Sequence, residues 1–250
     1  MTLETLGAAV GRGLTVVSVV GIHLWLAGGG VALATGSEAE QVPGPLQEVL
    51  IPMPESDCGE LLINSDEAYD GGGYAWSYGG VQAPYYGAFG ERYSVAGEVC
   101  GAVFDLTRIL PSAGRTMDVY VWQDQGGLPG VVACVEYGVD PGTIAWFPSV
   151  SRHTISLSSV CCVESPWWVG YWGNWPGMLS DWYVGADQDN GSSGFPFTNV
   201  APGIGYPTGW QNVSVTWGPT SALGIGALVR PCEPTPVGGS SWGAIKALYR

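Results

Sequence analysis

The stretch Thr116-Met-Asp-Val-Tyr-Val-Trp-Gln-Asp-Gln-Gly-Gly-Leu-Pro-Gly-Val-Val-Ala-Cys-Val-Glu-Tyr137 decides the fold. Met117–Trp122 alternates as a strand does: Val119 and Val121 fall on one face, and Asp118, Tyr120 and Trp122 on the other. Asp124–Gly130 is a tight connection in which glycines supply positive φ and Pro129 a fixed one. Val131–Tyr137 is a second β-type run. Together they read as an antiparallel hairpin with one apolar face turned to a core.

The same pattern extends in both directions. Leu61–Asn64, Phe89–Val95, Val99–Ile109, Thr143–Phe147, His153–Leu157, Trp167–Trp172, Trp182–Ala186, Val213–Trp217 and Ala222–Val229 are short β-type runs bounded by Gly, Pro, Asn or Asp. In the run from His153, Ile155 and Leu157 point inward. No helical period occurs before the extreme C-terminus, and no fixed-length repeat suggests a propeller or solenoid. The expected class is all-β: an antiparallel β-sandwich or jelly roll.

Composition narrows the function. Only 12% of residues are charged, 22 acidic against 8 basic, for a net charge of −14. A chain with one lysine has no patch able to release counterions from phosphate, which excludes nucleic-acid binding and adhesion to anionic lipid.

The N-terminus reads as an export signal. Arg12 precedes an apolar run from Leu14 to Ala27, and Ala32-Leu-Ala34 has the small-residue arrangement a signal peptidase reads. Leu14–Ala34 could just span a bilayer as an anchor, but the glycines at 28–30 and the small-residue end favour cleavage. The expected organisation is a signal peptide over 1–34, an acidic Pro-rich leader over 35–57, a sandwich domain over 58–232, and a linker with a C-terminal tail over 233–250. The mature protein would be secreted or held at the cell surface, or retained in the periplasm, with no membrane insertion after cleavage. Cys58, Cys100, Cys134, Cys161, Cys162 and Cys232 are an even set for an oxidising compartment, and no C-x-x-C pair suggests zinc. Their pairing is open, except that Cys161 and Cys162 in one strand point to opposite faces and need different partners. The tail Ser240–Arg250, where Trp242, Ile245 and Leu248 recur every three residues, reads as a frayed end or a last strand, or as a docking or sorting segment behind a Pro-rich spacer.

The order of segments Ile63–Gly73, Val121–Gly130, Val169–Gly177 and Ala201–Tyr206, with the tail Trp242-Gly-Ala-Ile-Lys-Ala-Leu-Tyr-Arg250, resembles a group of secreted bacterial β-sandwich proteins. Some of these end in a Trp-Gly-x-Ile-Lys-x-Leu-Tyr-Arg tail. The resemblance covers roughly residues 60–250 and implies a jelly-roll-like fold and export; it brings no catalytic residues. Cys134 and the Cys161–Cys162 pair are not part of it.

The main local anomaly is Trp167–Tyr183, with seven aromatics in 17 residues. Flat rings beside amide and carboxylate groups suit sugar faces, the C–H groups stacking while the hydroxyls bond to polar side chains. In a strand from Trp167, Trp168 and Trp172 share a face with Gly170, and Trp167, Val169 and Tyr171 take the other. One set fills the core. The other, with Trp175, Trp182, Asn174 and Asp181, is the candidate sugar-binding platform; the alternatives are that both sets are spent on core and crowded-turn packing, or that the outer set is a protein-contact patch. Asp187-Gln-Asp-Asn190 is a candidate calcium loop through Asp187, Asp189 and Asn190, and the turn holding Asp66, Glu67 and Asp70 is a possible contributor.

Catalytic signals are thin. His153 is the single histidine after residue 34, and in an alternating strand it should face solvent or bond locally. Paired carboxylates would point to a glycoside hydrolase, with Asp181 the first choice of acid and Glu164 the second. The leading expectation is a recognition module for polysaccharide or another cell-surface component. The alternatives are a structural surface or matrix protein sorted through its tail, and a glycoside hydrolase.

Overall fold

The computed structural model describes residues 39–49, 58–66, 68–76, 85–111, 114–174, 182–189 and 194–232. The proposed signal, the calcium-loop residue Asn190 and the tail lie outside them. The first strands are β1 (Ala39–Val42), β2 (Gln47–Val49), β3 (Glu60–Ile63), β4 (Gly73–Trp76), β5 (Phe89–Tyr93) and β6 (Gly97–Arg108). Next come β7 (Thr116–Asp124), β8 (Pro129–Val139), β9 (Ala145–Trp146), β10 (Ser149–Val163), β11 (Trp167–Asn174) and β12 (Trp182–Asp187). After β13 (Phe197–Val200) and β14 (Gly209–Asn212) come one helical turn, α1 (Ser214–Trp217), and then β15 (Ala222–Leu223) and β16 (Ile225–Arg230).

These strands form two packed sheets, so the molecule is an antiparallel β-sandwich. The larger sheet has the order β1-β4-β12-β6-β10-β2, with β16 joined to β6 and β3 to β16, β15 to β12 and β9 to β6. The smaller sheet has the order β14-β13-β5-β11-β7-β8. All pairs are antiparallel except β10 with β2 and β6 with β9.

Alternation decides which face each strand turns inward. Met117, Val119 and Val121 of β7, Trp167, Val169 and Tyr171 of β11, and Phe104 and Leu106 of β6 meet in one core between the sheets. Ile155 and Leu157 join them, as their spacing requires. At about 25 cal/mol per Å² of buried apolar area, this aromatic-rich layer is the main stabilising term.

The larger sheet is covered on its outer face too. Val42, Leu46, Tyr69, Ala75, Val150 and Tyr183 form a second cluster there. Asp105 is buried beneath it, held by Arg152 through Nε at 2.8 Å and Nη2 at 2.6 Å, and by the Tyr69 hydroxyl. Residues 39–49 therefore belong to the domain. The short runs around Pro43 and Pro45 carry no readable period, yet β1 and β2 complete the sheet.

Val213–Trp217, expected as a strand, forms α1. Its residues alternate, but Val213 and Trp217 are also one helical turn apart, and that spacing prevails. The Asn212 side chain accepts the Ser214 N–H at 2.9 Å, and Trp217 stacks on Tyr74 with centroids 4.9 Å apart. Ala222–Val229 is split at Gly224 into β15 and β16.

Three disulfides pair all the cysteines: Cys58–Cys100, Cys134–Cys161 and Cys162–Cys232. The adjacent Cys161 and Cys162 take different partners, as their alternation demands. Cys134–Cys161 ties β8 of one sheet to β10 of the other. Such cross-linking is typical of proteins from oxidising compartments. Among the described residues, no helix is long and apolar enough to cross a membrane.

Candidate functional site

The aromatic cluster divides as alternation requires, but its outward set is largely covered. Trp168 is fully buried on the outer face of the smaller sheet. Its Nε1–H donates to Asp124 Oδ1 at 2.9 Å, its ring meets Phe197 edge to face, and the Arg92 guanidinium lies above it at 5.9 Å. Trp182 is 1% exposed and packs between the sheets. Neither presents a face to a ligand. Trp172 is half-buried, and its Nε1–H donates to Tyr86 O at 2.9 Å. Trp175, Asp181 and the Asn174 side chain lie outside the described residues.

The accessible aromatic surface is assembled nearby from other segments. Tyr120, Trp122 and Trp168 form a buried layer on the outer face of the smaller sheet, flanked by the half-buried Tyr85, Trp172, Phe197 and Trp210. Tyr85 packs against Tyr120, Trp122 and Trp172 with centroids 4.7, 6.0 and 6.3 Å away. Its φ is +62°, the one positive value at a non-glycine among the described residues. An aromatic side chain held in the left-handed region costs on the order of 1–3 kcal/mol, and such strain gathers at binding sites.

Beside this layer runs a groove of about 400 Å³, lined by Tyr85, Tyr86, Trp122, Gln125, Pro129, Gly130, Val131, Asn199, Gly209 and Trp210. That volume lies within the span of about 300–1,000 Å³ usual for small-ligand sites. Trp122 is 1% exposed, and its Nε1–H has no hydrogen-bond partner among the described residues. A buried indole N–H normally finds an acceptor; this one is covered, so the accessible part of the lining is the half-buried Tyr85, Tyr86 and Trp210 with the exposed Gln125. The groove draws on four segments distant in sequence, and only the outward position of Trp122 could be read from alternation.

Hydrogen bonds fix the groove's margin. In the β7–β8 hairpin the Gln125 N–H donates to Leu128 O at 2.8 Å and the Gly127 N–H to Asp124 Oδ2 at 2.9 Å. Asp124 also pairs with Arg92 Nε at 3.0 Å. Burial, then the nearby Tyr137, pushes the Tyr85 hydroxyl above its ordinary range, so it stays protonated at neutral pH. A second groove of about 380 Å³ lies along β3, lined by Leu61–Asn64, Arg92–Val95 and Phe195. None of these lining residues has a positive φ.

The acidic turns converge. Asp70, Asp187 and Asp189 bring carboxylate oxygens within 4.8 Å of one another, so Asp70 stands beside two of the three predicted calcium residues. Asp187 is fully buried, and its oxygens accept the backbone N–H groups of Asp66 at 3.0 Å and Asp189 at 3.2 Å. Asp70 accepts the Gln188 N–H at 2.7 Å. These are the described residues able to hold a cation, and the same carboxylates also tie the two turns together.

Of the two expectations for His153, local bonding holds and solvent exposure does not: it is buried on the inward face of β10 with Ile155 and Leu157. Nδ1 lies 2.6 Å from Pro141 O and Nε2 2.7 Å from Ser151 Oγ. Burial holds the imidazole below its usual pKa, hence neutral, with Nδ1–H donating to the carbonyl. Ser151 is 1% exposed and its Oγ also accepts the Ala145 N–H at 2.8 Å. The pair resembles a nucleophile and base but has no access to substrate. Glu164 is exposed beyond the end of β10.

No family model, curated protein or solved structure matches this chain.

Proposed function

We propose that the protein is an exported recognition module that binds carbohydrate in the groove on the outer face of its smaller sheet. The observation that carries this reading is the lining itself: aromatic rings of Tyr85, Tyr86, Trp122 and Trp210 beside the amides of Gln125 and Asn199. Rings supply apolar faces for sugar C–H groups, and the exposed Gln125 amide meets hydroxyls. Its geometry differs from the platform expected around Trp168 and Trp182, whose rings are spent on packing.

Binding is favoured over hydrolysis. Cleavage by two carboxylates requires an acid on each side of the scissile bond, whereas the described lining holds amides at its polar positions. Export agrees with the disulfides and with the signal-like residues 1–34. The test is depletion of residues 35–250 from solution by a panel of insoluble and soluble polysaccharides, comparing the wild type with Trp210→Ala. Retention that the substitution removes supports the reading, and no retention by any polymer overturns it.

A further inference from the structure

Resting on the carbohydrate reading, we infer that the groove selects an uncharged polysaccharide. Its described lining consists of Tyr, Trp, Gln, Asn, Gly, Pro and Val, so among the described residues none of its side chains is charged at neutral pH. A uronate or sulfate laid against Trp122 and Trp210 would lose water without gaining a counter-charge, and a protonated amino sugar would find no carboxylate.

Among the described residues, the charges next to the groove are already committed. Arg92 Nε lies 3.0 Å from Asp124 Oδ1, and its guanidinium sits over the rings of Trp168 and Phe195. Asp124 also accepts the Trp168 and Gly127 N–H groups. Asp118, on the same face of β7, accepts the Gly138 N–H at 2.8 Å. Recruiting any of these to a charged sugar would break a buried contact. The field of the whole chain, at −14, repels polyanions as well. What remains accessible is the exposed Gln125 amide and the half-buried rings of Tyr85, Tyr86 and Trp210, all suited to hydroxyls.

The test is affinity electrophoresis of residues 35–250 through neutral and charged polymers of matched backbone: hydroxyethyl cellulose with carboxymethyl cellulose, and chitin oligomers with chitosan oligomers. A set of galactomannan, xyloglucan, alginate and pectin extends the panel. The expected result is retardation by at least one neutral polymer that is unchanged between about 0.01 M and about 1 M salt. Trp210→Ala and the surface change Gln125→Ala should each weaken it, by about tenfold for the tryptophan, at unaltered Tm for Gln125→Ala. Retardation confined to carboxylated, sulfated or amino polymers, or lost at high salt, overturns neutral selectivity and leaves carbohydrate binding standing. Retardation by no polymer overturns both.

Discussion

Trp122 and Trp210 meet edge to face with centroids 5.5 Å apart, although β11, β5 and β13 separate their strands within the sheet. Four strand spacings amount to about 19 Å. The rings bridge it by lying along the sheet over Gly90 of β5, which pairs with Gly170 of β11. A Cβ at Gly90 would lie 3.8 Å from Cζ3 of both rings. Gly90 is thus the floor of a shallow trough in which the groove's two tryptophans rest.

That trough can be filled in steps. Gly90→Ala meets only ordinary van der Waals contacts, so its stability should stay within about 0.5 kcal/mol of wild type with glycan retention intact. Gly90→Leu would wedge the rings apart and should abolish retention. Urea unfolding and the depletion assay on the two variants check this.

Glu91 should set a pH dependence of stability. It is fully buried, and burial pushes its carboxyl from 4.5 to about 8 against the opposing hydrogen bonds from Leu223 N, Asn64 Nδ2 and Phe195 N. The folded state therefore holds a proton that the unfolded chain releases. The stability this contributes is complete below pH 4.5, falls as pH rises toward 8, and is then lost. In Glu91→Gln that slope should flatten, with lower stability overall because an amide N–H₂ must face backbone donors. Urea midpoints across this pH range give the measurement.

The link between sheets should matter most when the chain is unfolded. Cys134–Cys161 closes a loop with a sequence separation of 27, for which chain entropy predicts about 3–4 kcal/mol. Cys134→Ala with Cys161→Ala should lower unfolding free energy by that order, read by guanidinium denaturation under oxidising conditions.

Arg152 and Asp105 should behave as one unit. Removing the guanidinium alone, in Arg152→Met, strands a carboxylate that is 1% exposed and should cost about 3–5 kcal/mol. Adding Asp105→Leu should recover part of that loss. A double-mutant cycle reads the coupling.

Much of the fold was legible because alternation is a local signal. The two faces of Met117–Trp122, the inward set Trp167, Val169 and Tyr171, and the divergent partners of Cys161 and Cys162 all follow from strand geometry. The approach of Asp70 to Asp187 and Asp189 fits two acidic turns noted separately. What alternation leaves open is which outward residues are then covered. Trp168 is buried by Phe197 and Arg92, which arrive from β13 and β5, so no reading of residues 167–183 alone could show it. The groove was hidden for the same reason, since Tyr85, Gln125, Asn199 and Trp210 meet only once the sheet is ordered.

The most direct test of the account is equilibrium binding to the retained polysaccharide, followed by tryptophan fluorescence, for wild type, Trp210→Ala and Tyr85→Ala. The account predicts saturable binding by wild type, weakened by about tenfold or more in each variant, with folding confirmed by a cooperative melt. Undiminished binding in both folded variants, or no polysaccharide bound by wild type, would contradict it.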